Sequence, residues 1–411
     1  MPMWAARGIF VSGSILLLIC VGPALAEETA GSEGRAEDFG LFRSTIEMDA
    51  LERGESGLQD PPSDVLGDDE TGGPEDRRGE PFVAPIPFRS PTLGWGGALV
   101  GGYIFRIDPE DRGSPPSSVA LAGYGSENES FGGVLTGLFH ISEDLWRVSS
   151  VFNASRINYD FYGIGSEAAD RGDKIEIQAD TLMGSLEVLR RLPEQVKILG
   201  VPIFLGPSVE VSRTENSVSK GVLPPGVSSS ELDETRIGFG IHLQRDSRDE
   251  SFFPMAGSLS DLDFKFFDSE IGSDFSYRVW DVSYRRYDEL WKDGVLAFRV
   301  FGRFTEGNTP FSDLSQHDLR GYEPGRYQDA IHLAGEIELR QHLYKRLAGT
   351  VFAGLGQVAP AIDDLSDDRL LWSAGFGLRF RLTEQNRMNY RADAAWGRDG
   401  FEFYFSLTEA F

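Results

Sequence analysis

Cysteine is almost absent from this 411-residue chain, since Cys20 is the only one. Cys20 lies in a segment that we expect to be removed, so the mature protein would have no disulfide and no cysteine-based metal site. Histidine is also scarce, with five residues. The motifs of serine hydrolases, nucleotide-binding loops and zinc proteases do not occur. We therefore expect no cofactor, no metal and no enzymatic activity.

Positive charge is in short supply. The chain has 39 Lys and Arg against 65 Asp and Glu, which gives a net charge of −26 and a pI near 4.6. Binding to nucleic-acid phosphates needs clustered basic residues. We therefore expect no nucleic acid among the partners.

Long apolar runs are missing beyond the first 26 residues. Residues 1–26 have the pattern of a secretory signal peptide, with Arg7, an apolar stretch and an A-x-A cleavage site ending at Ala26. A membrane anchor is the alternative, but the run is short and ends in Gly22-Pro23. The mature chain is then either soluble and exported, or crosses a membrane as a β-barrel.

The first mature segment, residues 27–80, contains 17 acidic residues against 5 arginines. Such a composition cannot bury enough apolar surface to offset its ordering entropy. We predict a disordered, acidic periplasmic arm. Residues 81–91 are rich in proline, and we interpret them as a lead-in to a barrel domain at 81–411.

From residue 93 onwards, apolar residues alternate with polar or small ones in segments of about ten. Fifteen such segments extend from 94–105 to 401–410, and residues 157–164 could form a sixteenth. This pattern and an even strand count are typical of outer-membrane barrels. The predicted fold is all-β: a 16-stranded antiparallel transmembrane β-barrel with an inserted extracellular loop and a disordered N-terminal arm.

Several segments carry charge on one face only. Leu333 and Ile337 alternate with Glu336 and Glu338, and Leu378 alternates with Arg379. A soluble sandwich would also alternate. Charges of both signs in mid-strand nevertheless favour a wet lumen, and the large apolar residues favour a lipid-facing exterior.

Connections in the second half alternate between long and short, as expected for outer loops and inner turns. The first half is less regular. A short turn at residues 142–144 falls where an outer loop is expected, and the connection at 246–256 is long where a short turn is expected.

The last segment places Phe403, Phe405, Leu407 and Phe411 on one face with a period of two. We predict that these residues form a C-terminal assembly signal, because machinery can capture a terminal strand edge by strand addition. An ordinary terminal strand is the alternative.

These patterns resemble the bacterial surface antigen family, the barrel part of the BamA/TamA outer-membrane assembly superfamily. The resemblance covers residues 82–411. It rests on the following motifs: Leu319-Arg320-Gly321-Tyr322, Phe161-Tyr162-Gly163-Ile164-Gly165, Asp246-Ser247-Arg248-Asp249, Pro91-Thr92-Leu93-Gly94-Trp95 and the Phe411 ending.

The resemblance implies that the loop carrying Arg320 folds into the lumen and that this arginine pairs with an acidic residue. The position of the family's acid corresponds to Gly354, so the usual partner is missing. A charged tip in a partly dry lumen needs a partner. We predict a salt bridge to Asp393, Glu338 or Glu336, with Asp393 or Glu338 favoured.

Relatives that insert proteins carry periplasmic repeats, for which residues 27–80 leave no room. By analogy we expect an outer-membrane barrel of a Gram-negative bacterium that assists protein or lipid placement, with a client that the sequence does not identify. Its expected partners are outer-membrane lipid, lipopolysaccharide and the machinery for its own insertion. The alternatives are a passive pore or structural surface antigen, and a hydrolase using His317 near Asp318.

Overall fold

In the computed structural model, the described residues are 79–111, 114–198, 200–224, 226–249, 253–381, 389–407 and 409–411. The predicted signal peptide and nearly all of the predicted acidic arm lie outside these residues. The strands are β1 Gly79–Ser90, β2 Gly94–Phe105, β3 Ser117–Ser126, β4 Phe131–Ile141, β5 Trp146–Phe161, β6 Ile175–Arg191, β7 Ile203–Lys220, β8 Asp233–Asp246, β9 Gly257–Phe267, β10 Tyr277–Trp291, β11 Gly294–Gly307, β12 Ser315–Gln316, β13 Gln328–Asp329, β14 Ile331–Tyr344, β15 Leu347–Ala359, β16 Leu371–Arg381, β17 Asn389–Gly397 and β18 Gly400–Leu407; one α-helix, α1, spans Ser166–Arg171.

Sixteen of these strands form one closed antiparallel barrel. Neighbours in the sheet are neighbours in sequence, except that β11 pairs with β14 and β18 pairs with β1. The two short strands β12 and β13 pair with each other inside the β11–β14 connection. The predicted 16-stranded barrel is therefore confirmed. No helix within the described residues is long and apolar enough to span a membrane.

The alternation of side chains follows the predicted faces. On β14, Leu333 and Ile337 are 40% and 45% exposed on the outside, while Glu336 and Glu338 are buried in the lumen. On β16, Leu378 faces outwards and Arg379 is fully buried. Successive residues of a strand point to opposite faces, so each strand contributes one apolar and one polar row.

Two strand predictions were wrong. Residues 79–90, interpreted as a lead-in and the end of an arm, form the first barrel strand. Residues 157–164 do not form a separate strand, because β5 continues without a break to Phe161. Proline disfavours interior strands, which is why the sequence pattern concealed β1.

Because β1 adds a strand before the predicted first one, the first three predicted connections lie at the opposite end of the barrel from the end predicted. The short turn at 142–145 lies at the barrel end that also holds β1's beginning and β18's end, so its shortness is no longer an exception. The missed strand β1 and the extra strand predicted at 157–164 cancel in the strand count, so every connection after β5 lies at the barrel end that was predicted for it. The long 308–330 connection therefore lies at the opposite end, as predicted.

The outward row gives a test of the lipid-facing assignment. Replacing Ile337 by Arg would place a charge against hydrocarbon near the middle of β14, and we expect the free energy of unfolding to fall by about 2–4 kcal/mol. Denaturant titration in lipid vesicles measures this, with Ile337→Val as the matched control. An Ile337→Arg barrel as stable as the control would contradict the assignment.

Candidate functional site

The β11–β14 connection, residues 308–330, folds into the barrel as a hairpin. Its base is the β12–β13 pair, in which Ser315 pairs with Asp329, and the His317 N–H donates to the Tyr327 carbonyl at 2.8 Å. Beyond this base, the tip carries the Leu319–Tyr322 motif. Leu319, Arg320 and Tyr322 are each less than 7% exposed. The tip therefore lies in the lumen.

The Arg320 guanidinium meets three carboxylates. Nη1 donates to Asp393 at 2.9 Å, and Nη2 lies 2.6 Å from Glu338 and also contacts Glu336. The guanidinium carbon lies 3.4 Å from the centroid of the Phe352 ring. All three acids named from the sequence thus surround the arginine.

The cross-strand geometry shows why glycine can occupy position 354, where the family resemblance would place an acid. Gly354 on β15 is directly paired with Glu336 on β14. A Cβ at Gly354 would stand 3.1 Å from the Leu319 methyl groups, so the loop itself fills that space. The carboxylate comes instead from Glu336, the neighbour on the adjoining strand.

Three further arginines join the same cluster. Arg379 reaches Asp393 at 2.5 Å and Glu409 at 2.6 Å, and Arg340 reaches Glu338 at 2.7 Å. Arg391 lies 3.5 Å from Asp393. Four arginines therefore face four carboxylates, so the charges balance, as burial of charge requires. We call this group the lumen ion cluster: Arg320, Arg340, Arg379, Arg391, Glu336, Glu338, Asp393 and Glu409.

Neither the contribution of Glu409 nor the linking role of the wall arginines could be recognised from the sequence pattern. Arg379 was assigned an inward face from the alternation of β16. The pattern gave no signal that it would share Asp393 with Arg320.

Gly321 and Tyr322 fix the tip against the wall. Gly321 has φ near +100°, and a Cβ there would stand 2.8 Å from the Trp396 backbone. Glycine is therefore required on both conformational and steric grounds. The Gly321 N–H donates to the Tyr404 hydroxyl at 2.9 Å, and the Tyr322 hydroxyl donates to the Trp372 carbonyl at 2.7 Å.

The β5–β6 connection covers the outer end of the hairpin. The Gly165 N–H donates to the Gln328 carbonyl at 2.8 Å, and Tyr162 donates to Glu323 at 2.8 Å. Ala169 of α1 is fully buried against the hairpin's apolar residues. The Phe161–Gly165 motif thus serves as a contact between this cover and the lumen hairpin.

The C-terminal residues differ from the prediction that they share one face. β18 ends at Leu407, whose side chain lies outside the described set, and Phe403 and Phe405 belong to the outward row. Phe411 instead packs inside the lumen, 8% exposed, beside Tyr287 and Val295. The chain turns inwards because Glu409 pairs with the lumen arginines. The role of these residues as an assembly signal stays a prediction.

His317 and Asp318 do not form the pair that a hydrolase would need. Burial lowers the pKa of His317 to about 3, and neither ring nitrogen has a hydrogen-bond partner among the described residues. Burial raises the pKa of Asp318 to about 6, and its carboxylate lies 3.4 Å from Arg299. In the described ranges, no group of three or more His, Cys, Asp or Glu residues is arranged so that it could hold a metal ion.

Removing the central cation tests the cluster. Arg320→Ala would leave three buried carboxylates without it, at a cost of about 3–5 kcal/mol, so we expect a folded barrel that loses heat resistance on gels. Arg320→Lys should recover only part of it, because lysine lacks the planar fork. Arg278→Ala, on an exposed arginine, is the control. Equal heat resistance of all the variants would contradict the cluster's role.

Comparison with known proteins supports the fold. BamA from Haemophilus ducreyi lacking POTRA domains 1–3 matches with a TM-score of 0.52 at 13% identity, covering 80% of this chain and 70% of that chain. CdiB from Acinetobacter baumannii matches at 0.54 with 12% identity, covering 80% and 60%. CdiB from Escherichia coli matches at 0.56 with 13% identity, covering 79% and 62%. The matched region is thus less than two thirds of either CdiB chain. No curated protein matches the sequence.

At the sequence level, the family described as the Omp85 superfamily domain matches residues 186–411. This is 226 of 411 residues, more than half of the chain, and it includes the lumen hairpin and every member of the ion cluster. The protein is an outer-membrane β-barrel that belongs to the Omp85 superfamily.

Proposed function

We propose that this barrel assists the placement of protein or lipid in the outer membrane, using the junction between β1 and β18. The observation that carries the proposal is the weakness of that junction, which we call the seam. In the described residues, β1 and β18 have one register pair, Arg89 with Phe405. Every other pair of neighbouring barrel strands has at least eight.

The side chain of Arg89 makes further contacts with β18, but these do not lengthen the paired region. The Arg89 guanidinium contacts the Phe403 carbonyl and lies 5.8 Å from the Phe403 ring centroid. Both contacts are at the same end of β1 as the register pair. The rest of β1, towards Gly79, has no partner in β18.

The alternative of a passive pore receives less support, because the lumen is occupied. The hairpin fills its centre through the ion cluster, and the β5–β6 connection covers the outer end. Among the described residues, two cavities lined in part by the hairpin have volumes of about 170 and 120 Å³, which is room for about ten water molecules each. The wall has its fewest strand pairs at the seam, where β1 and β18 share one register pair.

Locking the seam tests the proposal. Residues 27–411 contain no cysteine, and directly paired antiparallel residues have Cα atoms about 4.5–5.5 Å apart, within disulfide reach. Arg89→Cys with Phe405→Cys should therefore cross-link β1 to β18. In cells that depend on this variant, we expect the protein and lipid composition of the outer membrane to change under oxidising conditions and to recover on reduction.

The matched control is Val351→Cys with Phe376→Cys, an outward pair between β15 and β16, which already pair along ten residues. This cross-link should have no effect. Identical outer-membrane composition with the seam locked and unlocked would rule the proposal out.

A further inference from the structure

Three prolines lie at alternate positions of β1: Pro81, Pro85 and Pro87. In an antiparallel strand, the N–H and C=O of one residue point to the same neighbour, and those of the next residue point to the other. The backbone groups of all three prolines therefore point to the same edge of β1. Because proline has no N–H, that edge lacks three donors.

The affected edge is the seam. β1 pairs with β2 along all twelve of its residues without a break, so the prolines cannot face β2. Pro207 shows the same effect within this barrel: its ladder with β8 is continuous, whereas the ladder with β6 skips from Ser208 to Leu205. A proline thus interrupts the ladder on one side only.

The position of two of these prolines accounts for where β18 ends. Arg89 pairs with Phe405, and in an antiparallel pair the two residue numbers keep a constant sum, here 89 + 405 = 494. Leu407 would therefore stand opposite Pro87, and Glu409 opposite Pro85. Neither proline can donate, and β18 stops at Leu407.

The residues that follow bind inside the lumen instead. Glu409 accepts from Arg379 at 2.6 Å and from Asn389 at 2.9 Å, and the Phe411 carbonyl accepts from Arg340 at 2.8 Å. On its seam side, β1 is consequently left without a strand partner from Gly79 to Pro87 among the described residues. This part of β1 is the open edge.

The open edge has an unusual hydrogen-bonding character. Residues 81, 83, 85 and 87 present their carbonyl acceptors on this edge, but of these four only Val83 has an N–H. The Tyr390 hydroxyl donates a long hydrogen bond to the Pro85 carbonyl at 3.5 Å, and the outward side chain of Val83 is 67% exposed. Backbone acceptors in a lipid-facing wall need donors, because hydrocarbon offers none.

An incoming β-strand is a poor partner for such an edge, since strand addition needs donors and acceptors on both sides. The primary ammonium group of a lipid headgroup has three donors and no acceptor, so it matches an edge that is rich in acceptors. We infer that the open edge recognises hydrogen-bond-donating phospholipid headgroups, those of the phosphatidylethanolamine type, and does not template polypeptide strands. This inference rests on the proposed use of the seam and names its substrate class.

The headgroup chemistry gives a direct test. The full-length protein is placed in phosphatidylcholine vesicles, and the transbilayer exchange of acyl-labelled phosphatidylethanolamine and phosphatidylcholine is compared by dithionite quenching. The choline headgroup has no N–H. We expect the ethanolamine lipid to exchange about fivefold faster, the factor that one net hydrogen bond of about 1 kcal/mol gives. Equal rates would overturn the inference.

Restoring the donors gives a second, independent test. Pro85→Val with Pro87→Val should let residues 407–411 extend along β1, so that Val83→Cys and Phe411→Cys introduced in that background cross-link on oxidation. The preference for the ethanolamine lipid should then fall towards unity. Pro81→Val is the matched control, because it lies on the same edge beyond the reach of residues 407–411. A cross-linked double-proline variant that retains the full preference would contradict the inference.

The locked seam separates this inference from the function on which it rests. If the unlocked protein exchanges both lipids at equal rates and locking Arg89→Cys to Phe405→Cys stops that exchange, the seam is used but the headgroup preference is refuted. If the unlocked protein instead accelerates folding of an added unfolded barrel polypeptide and locking stops that, the substrate is polypeptide and the inference is overturned. Exchange that locking does not alter removes the proposed function itself.

Discussion

A backbone inside a bilayer must satisfy its own hydrogen bonds, because the surrounding hydrocarbon supplies neither donors nor acceptors. This chain meets the requirement around almost the whole circumference through fifteen well-paired strand junctions. Among the described strands, the β1–β18 junction is the one that does not meet the requirement, and the sequence shows why. Proline at 81, 85 and 87 deprives β1 of donors on the seam side only. The open junction is therefore encoded in the covalent structure of one strand.

The interior is organised by a second constraint, that buried charges must be paired. The lumen ion cluster joins elements that are distant in sequence: the hairpin through Arg320, β14 through Glu336 and Glu338, and β17 through Asp393. Glu409 adds the end of the chain to the same cluster. The hairpin and the residues after β18 are thus linked through the wall, because Arg379 contacts both Glu409 and Asp393, and Asp393 pairs with Arg320. Displacement of either would leave wall charges uncompensated.

Much of this could be predicted from the sequence. The alternating pattern located most strands and the correct faces of β14 and β16, and the family motif identified the lumen hairpin. The errors have physical causes. β1 was hidden because its prolines contradict strand propensity, and an edge position makes them acceptable. β5 was divided because its length exceeds the usual ten residues. The inward turn of Phe411 depends on ion pairs with distant strands, which no local periodicity records.

Amide hydrogen exchange along β1 tests the central claim most directly. In the protein embedded in bilayers, the amides of Ala84, Ile86 and Phe88, which face β2, should be strongly protected. The amide of Val83, which faces the seam, should exchange orders of magnitude faster, at a rate close to that of an unpaired strand edge. Equal protection of Val83 and its neighbours would show that β1 is paired on both sides, and the account of an open seam would be wrong.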